Sequence, residues 1–234
     1  MIKLYTYGPL FGLPDASPFV MKAEMLLRLS GVPYETDTRG FSKAPKGKLP
    51  YIRDGESVIA DSTLIRLHLE KKHKFDFDAA LSPRDRGIAW SIEKMLEDHF
   101  YWHLVYWRWL DDANWEKGPS HFFRRVPALI RPIVERMVRR NVRTRMHGHG
   151  LGRLDDYEKT LLCNRAIDSL SQVLGDSTYL MGDKLCGADA TAFAFVASGL
   201  PDLFQSPLQE KLSRTGNLVA YRDRMMREFF PKFV

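Results

Sequence analysis

Two short stretches carry residue types suited to gripping a small peptide-like molecule. Lys46-Gly47-Lys48-Leu49-Pro50-Tyr51-Ile52 reads as a strand led by a proline. Val58-Ile59-Ala60-Asp61-Ser62 reads as a second strand that runs into an acid–hydroxyl pair opening a helix. A proline beside a strand cannot donate to the ladder and needs a reason to be there. A cis bond between Leu49 and Pro50 supplies one, because it turns Leu49 outward and leaves its N–H and C=O to a ligand. The Asp61-Ser62 pair suits the two charged ends of an amino acid. Its carboxylate can hold an ammonium, and the hydroxyl with the free N–H groups of a helix start can hold a carboxylate.

The elements that must position these residues alternate in the first third of the chain. Lys3–Tyr7 is a short strand, followed by a Gly/Pro-containing loop over Gly8–Ala16. From Pro18 to Ser30 the residues Phe19, Val20, Ala23, Leu26 and Leu27 recur at helical spacing. Gly31 and Pro33 stop that helix. Tyr34–Thr38 alternates as a strand, and Leu49–Arg53 and Glu56–Ala60 flank Asp54-Gly55, a strong hairpin signal. Ser62–Lys72 is amphipathic and helical. The order is β-α-β, an irregular link, then β-β-α. Beyond it, Ser82-Pro83-Arg84-Asp85 is a helix start with a capping serine and a first-turn proline. Nothing after it reads as a strand. Candidate helices span about 83–113, 128–146, 154–174, 188–199 and 217–229, and the boundary between the two halves falls near residues 74–82.

Composition narrows the class. The chain has 234 residues, of which 44% are hydrophobic and 27% charged, ordinary values for a globular protein. No run of about 18 apolar residues offers a membrane span. Met1–Tyr7 lacks the apolar core of a signal peptide. Cys163 and Cys186 are distant and form no CxxC, which favours a reducing compartment, so a cytoplasmic location is expected. The net charge of +6 allows an anionic ligand, an acidic partner or a membrane surface.

A βαβ-ββα unit with a proline-led third strand, joined to a helical region, resembles the glutathione S-transferase superfamily. The fold class that this implies is α/β plus all-α: a thioredoxin-like, glutathione-binding domain over residues 1–75, followed by an all-helical domain over 82–234. Pro45-Lys46-Gly47-Lys48-Leu49-Pro50 looks like the family's link into its cis-proline strand, and Asp61-Ser62 matches its acid–serine pair. Tyr179-Leu180-Met181-Gly182-Asp183 with Gly187-Ala188-Asp189 looks like its helical-domain signature, in which an aspartate caps a buried helix. Here Cys186 stands where that signature has serine or threonine. Ser17-Pro18-Phe19, the Lys46–Tyr51 run and the aromatic region Tyr101, Trp102, Tyr106, Arg108 and Trp109 resemble the failed-axon-connections and metaxin-like branch in particular.

The resemblance implies a glutathione transferase, an enzyme moving alkyl or aryl groups onto the glutathione thiol. A free thiol has a pKa of about 8.5 and is only slightly ionised at neutral pH, so a hydroxyl donor and the positive end of a helix are needed to hold the thiolate. Ser17 stands where the family carries serine or cysteine, and Tyr7 at the end of the first strand is the competing donor. Ser17-Pro18 also reads as a plain helix cap with its first-turn proline. By the same resemblance Leu49 and Pro50 present backbone to the cysteinyl unit, and Asp61 and Ser62 hold the γ-glutamyl end. Of Lys43, Lys46 and Lys48, which all offer positive charge for the glycyl carboxylate, Lys43 is the choice. Partners would be glutathione, a small hydrophobic electrophile and a second copy in a homodimer, with no nucleic acid, transmembrane segment or metal. The rival function is a non-catalytic, metaxin-type module of the same fold that contacts proteins or membranes.

Three features stand outside this reading. The stretch His99–Trp109 is rich in aromatics, and Trp102, Tyr106 and Trp109 share a helical face that could border the electrophile. Residues 124–145 hold eight arginines, among them Arg125, against the single acid Glu135, with Ile130, Ile133, Val134, Met137 and Val138 as an apolar stripe. That basic amphipathic helix reads as a solvated face or as a contact for anionic lipid, nucleic acid or an acidic partner. His147-Gly148-His149 has no Cys, Asp or Glu at familiar ligand spacing and reads as a turn.

Overall fold

Four short strands make one mixed sheet in the order β2-β1-β3-β4, with β1 Ile2–Tyr5, β2 Tyr34–Asp37, β3 Tyr51–Asp54 and β4 Ser57–Ala60. The computed structural model describes every residue except Arg125. β1 pairs parallel with β2 and antiparallel with β3, placing Leu4 between Thr36 and Ile52. β3 and β4 form the hairpin signalled by Asp54-Gly55, where Gly55 takes φ +63°, a value that favours a residue without Cβ. The strands are shorter than the pattern predicts. The N–H of Tyr7 leaves the ladder for the Asp15 carboxylate at 2.9 Å, and Leu49 and Pro50 precede the first paired residue of β3.

Helix α1, Pro18–Ser30, is capped by Ser17 and closed by Gly31 in the left-handed conformation. Helix α2, Ser62–His73, is capped by Asp61. These two complete a thioredoxin-like half. A helical second half follows. A continuous run from Pro83 to Leu110 contains α3 Pro83–Lys94 and α4 Tyr101–Val105, separated and followed by π-helical segments at Met95–Phe100 and Tyr106–Leu110. After it come α5 Asp112–Lys117, α6 Arg131–His149, α7 Asp156–Leu174, α8 Gly187–Gly199, α9 Pro207–Ser213 and α10 Gly216–Phe229. The short α9 is absent from the sequence reading, because seven residues are too few to show a period.

Helix α8 is buried along its whole length and is the centre of the molecule. A helix apolar on every side can only be a core element. It packs against α1 through residues such as Phe19 and Phe195, whose rings meet edge-on at 5.4 Å. Asp189 fixes its start. The carboxylate accepts from the Leu180 N–H at 2.8 Å, the Cys186 N–H at 2.9 Å and the Tyr221 hydroxyl at 2.8 Å. The Cys186 thiol adds a 3.3 Å contact, so the expected cap forms although the usual hydroxyl residue is missing.

Where α1, α2, α3 and α8 meet, the core holds charges. Lys22, fully buried on α1, reaches Glu93 at 3.0 Å and Glu97 at 2.5 Å. Arg66 of α2 pairs with the same Glu93, with Asp78 at 2.5 Å and with Glu70 at 3.1 Å. Asp78 in turn accepts from the N–H of Gly187 at 2.9 Å, and Thr191 donates to Glu93 at 3.1 Å. A Cβ at Gly187 would press on the Arg66 guanidinium and force it to shift away from Glu93 or Asp78. Burial works against the charge on Arg66, yet Glu93 and Asp78 hold its pKa above the ordinary arginine value.

Candidate functional site

A cleft of about 630 Å³ opens where the ends of β1, β3 and β4 face the helical half. Tyr7, Ser17, Leu49, Pro50, Asp61 and Ser62 all line it, so six of the seven residues singled out from sequence lie together. Lys43 does not. It lies on a separate cleft with Tyr5, Asp37, Arg39, Tyr51 and Arg53. The basic residues that reach the first cleft are Lys46 and Lys48 of the same link, together with Lys94.

The Leu49–Pro50 peptide is cis. The Pro50 carbonyl accepts from the Asp61 N–H at 3.3 Å, tying the proline to the start of α2. Leu49 stays outside the strand ladder, with its backbone N–H near the Tyr7 hydroxyl. Partial burial raises the Tyr7 phenol, and that N–H partly offsets the rise. A raised phenol remains a donor at neutral pH.

Asp61 takes φ +93°, a conformation rarely adopted by residues other than glycine, and caps α2 through the N–H groups of Thr63 at 2.9 Å and Leu64 at 3.4 Å. Strained backbone of this kind clusters at ligand sites, where the surrounding fold holds it in place. Ser62 is buried beside it. The Asp61 carboxylate and the open N-terminal turn of α2 thus present negative and positive character side by side.

Ser17 caps α1 through a long 3.4 Å bond from the Val20 N–H. Its oxygen is an acceptor there, so its proton is available to another group. The loop that carries it is held by Asp15, a buried carboxylate that accepts from Gly8 and Ser17 at 2.8 Å each and from Tyr7 at 2.9 Å. Burial pushes Asp15 up to about 7, while these three N–H groups pull the other way. Arg108, buried behind the loop, donates to the carbonyls of Ala16 and Ser198 and lies over the Phe204 ring, with Phe11 close by. Burial without a carboxylate partner lowers it to about 10.

One wall of the cleft is apolar and aromatic, made by Phe19, Leu64, Trp90, Tyr101 and Trp102. Of the face expected from Trp102, Tyr106 and Trp109, only Trp102 lines the cleft. Tyr106 bonds to Asp156 at 2.5 Å, and Trp109 packs on Trp115 and Phe122. The π turns are the reason, because they use more residues per turn and rotate later side chains off the α-helical face. Sequence reasoning also missed Thr63, Trp90, Lys94 and Glu97. Glu97 connects the cleft to the buried ion cluster, and Lys94 meets it at 2.5 Å. The signal present in the sequence is the Glu93–Glu97 spacing of four beside a lysine set in the apolar run of α1. Asp15, two residues before Ser17, reads only as a turn residue.

The family models agree with this architecture. The glutathione S-transferase N-terminal domain matches residues 18–114 and the C-terminal domain matches residues 163–225. The isoprene-epoxide–glutathione S-transferase of Rhodococcus sp. (strain AD45) is 30% identical over 238 residues, covering 98% of this chain and 99% of that protein. Failed axon connections of Drosophila melanogaster is 28% identical across 99% of this chain and 58% of its own length, and a metaxin-1 homolog of the same organism is 23% identical across 97% and 72%. Among solved structures, the beta-etherase LigF of Sphingobium sp. strain SYK-6 superposes with a TM-score of 0.62 over 99% of both chains at 22% identity, a likeness of fold. With its two domain models matched and a relative aligned end to end, this chain belongs to the glutathione S-transferase superfamily, with the metaxin-like branch among its kin.

Proposed function

We propose that the chain is a glutathione transferase that presents the thiolate of glutathione to a small apolar electrophile. The observation that supports this best is the convergence in one cleft of two hydroxyls, Ser17 and Tyr7, the Leu49–Pro50 backbone and the Asp61-Ser62 helix start. In this reading Leu49 pairs its backbone with the cysteinyl unit, Asp61 takes the γ-glutamyl ammonium, and Ser62 with the N-terminal turn of α2 takes its carboxylate. Lys46 or Lys48 serves the glycyl carboxylate in place of Lys43.

The thiol gives its proton to solvent. The Ser17 hydroxyl, backed by the positive end of α1, donates to the remaining sulfur anion, and Tyr7 is the second candidate for that role. The thiolate then forms a carbon–sulfur bond with the acceptor. A leaving group departs or, for an epoxide of the class named for the Rhodococcus relative, the opened oxygen takes up a proton. Phe19, Trp90, Tyr101 and Trp102 would seat the apolar acceptor. The boundary near residues 74–82, a homodimer and a cytoplasmic location belong to the same proposal. Titration calorimetry with glutathione tests it. Saturable heat below millimolar ligand is expected, and no heat at millimolar glutathione would defeat this reading in favour of a non-catalytic interaction module.

A further inference from the structure

Between the two family-model matches, which end at 114 and resume at 163, lies a segment neither describes. Its main element is α6. Residues 118–150 contain eight arginines and one glutamate and no other Lys, Asp or Glu, a formal charge of +7 against +6 for the entire chain. The rest of the molecule is therefore nearly neutral, and the positive field comes from this one segment.

Only one side of α6 is packed. Met146 is buried, and Arg139 donates to the carbonyls of Trp109 and Leu110 and to Asp112. The opposite side carries large aliphatic groups in the open. Leu129 is 94% exposed, Ile133 69%, Met137 55% and Ile130 49%. At about 100° per residue, Ile133 and Met137 flank Arg140 on the outward side of α6, and Leu129 stands exposed in the turn before it, while Arg136, Arg140 and Arg143 also line a shallow cleft beside Trp115, Glu116 and Glu135. All three of these arginines are exposed, and among the described residues none of them forms an ion pair.

Chemistry decides what this face fits. A solvated helix has no need of four exposed aliphatic side chains next to unpaired cations. Pairing with a second copy would set arginine against arginine. Single-stranded nucleic acid is bound on exposed aromatic rings, and α6 contains none. A bilayer with anionic headgroups answers both halves of the pattern: phosphate and carboxylate groups for the guanidiniums, and the acyl boundary for the aliphatics. We propose that α6 and the turn before it form a peripheral docking surface for an anionic membrane, with the helix lying in the headgroup plane. No helix among the described residues is long and apolar enough to cross a membrane, so the attachment is superficial and reversible. This inference does not depend on the transferase reading.

Flotation of the full chain with vesicles tests it. One set is phosphatidylcholine alone, and the other holds about one-third phosphatidylserine. Binding to the anionic set should exceed binding to the neutral set at least about tenfold and fall as salt rises. Combined Arg136→Ala, Arg140→Ala and Arg143→Ala should weaken it by about a hundredfold, at about fivefold per arginine. Ile133→Asp with Met137→Asp should weaken it at least about tenfold, because aliphatic burial and surface repulsion both change. Each variant alters only exposed positions, and an unchanged circular dichroism spectrum and melting point confirm its fold. Absence of binding, equal binding to both vesicle sets, or binding that survives the aspartate pair overturns the proposal. The last outcome would mean recognition by charge alone, as for a soluble polyanion or an acidic protein.

Discussion

Ser17 has two claims on its hydroxyl. Its oxygen accepts from Val20 at a long 3.4 Å, and the residue lines the cleft, where its hydroxyl can still donate to a sulfur anion. Ser17→Ala should lower turnover about a hundredfold, the scale of one lost donor to a developing anion, and raise the apparent pKa of bound glutathione. The pH–rate profile reads both effects. A profile unchanged in Ser17→Ala and shifted in Tyr7→Phe would transfer the role to Tyr7. His103 makes a second residue-scale case. It is fully buried, neither ring nitrogen has a partner among the described residues, and burial drops its pKa to about 3. The folded form therefore stays neutral where an unfolded chain would bind a proton below about 6.5. Its contribution to stability is full above that pH and is lost as pH falls toward 3. Urea unfolding at a series of pH values should show His103→Leu with a flatter acid slope than the parent.

At the scale of elements, signals that live in neighbouring residues were legible and those made by distant ones were not. Caps at Ser17, Asp61 and Ser82, the Asp54-Gly55 turn and the Gly31 stop place their elements within a residue or two. Those motifs also assembled most of the site, because Ser17, Leu49, Pro50 and Asp61 each sit at the end of an element whose direction is set locally. The π segments at 95–100 and 106–110 were not legible, since a wider turn leaves no residue type as its mark. They are why Trp102 faces the cleft and Tyr106 and Trp109 do not. The ion cluster was also hidden, because its partners lie 71 and 75 residues apart. Lys22→Met should test that cluster. Removing the cation leaves Glu93 and Glu97 underneutralised in the core and should cost about 3–5 kcal/mol, read from denaturant midpoints. Adding Glu97→Gln should recover part of the loss.

At the scale of the whole molecule, Val58 on β4, Leu64 and Leu67 on α2 and Trp90 on α3 are each close to half exposed. Leu64 and Trp90 also line the cleft, so this apolar edge runs beside the site. A homodimer seated on Val58 and Leu67 would cover part of this edge and leave Leu64 and Trp90 to the cleft. Sedimentation equilibrium should give about twice the 27.1 kDa of one chain, and Leu67→Asp should halve it.

The salt-bridge cluster also bears on autonomy. A chain severed near residue 80 would keep Lys22 and Arg66 but lose Glu93, Glu97 and the Gly187 amide. Lys22 would lose both of its carboxylates, Arg66 would keep only Asp78 and Glu70, and the α1 face that α8 covers would open to water, so the fragment would lose much of its core. Residues 1–80 expressed alone should therefore give the spectrum of a random coil, and the intact protein should melt in a single cooperative step.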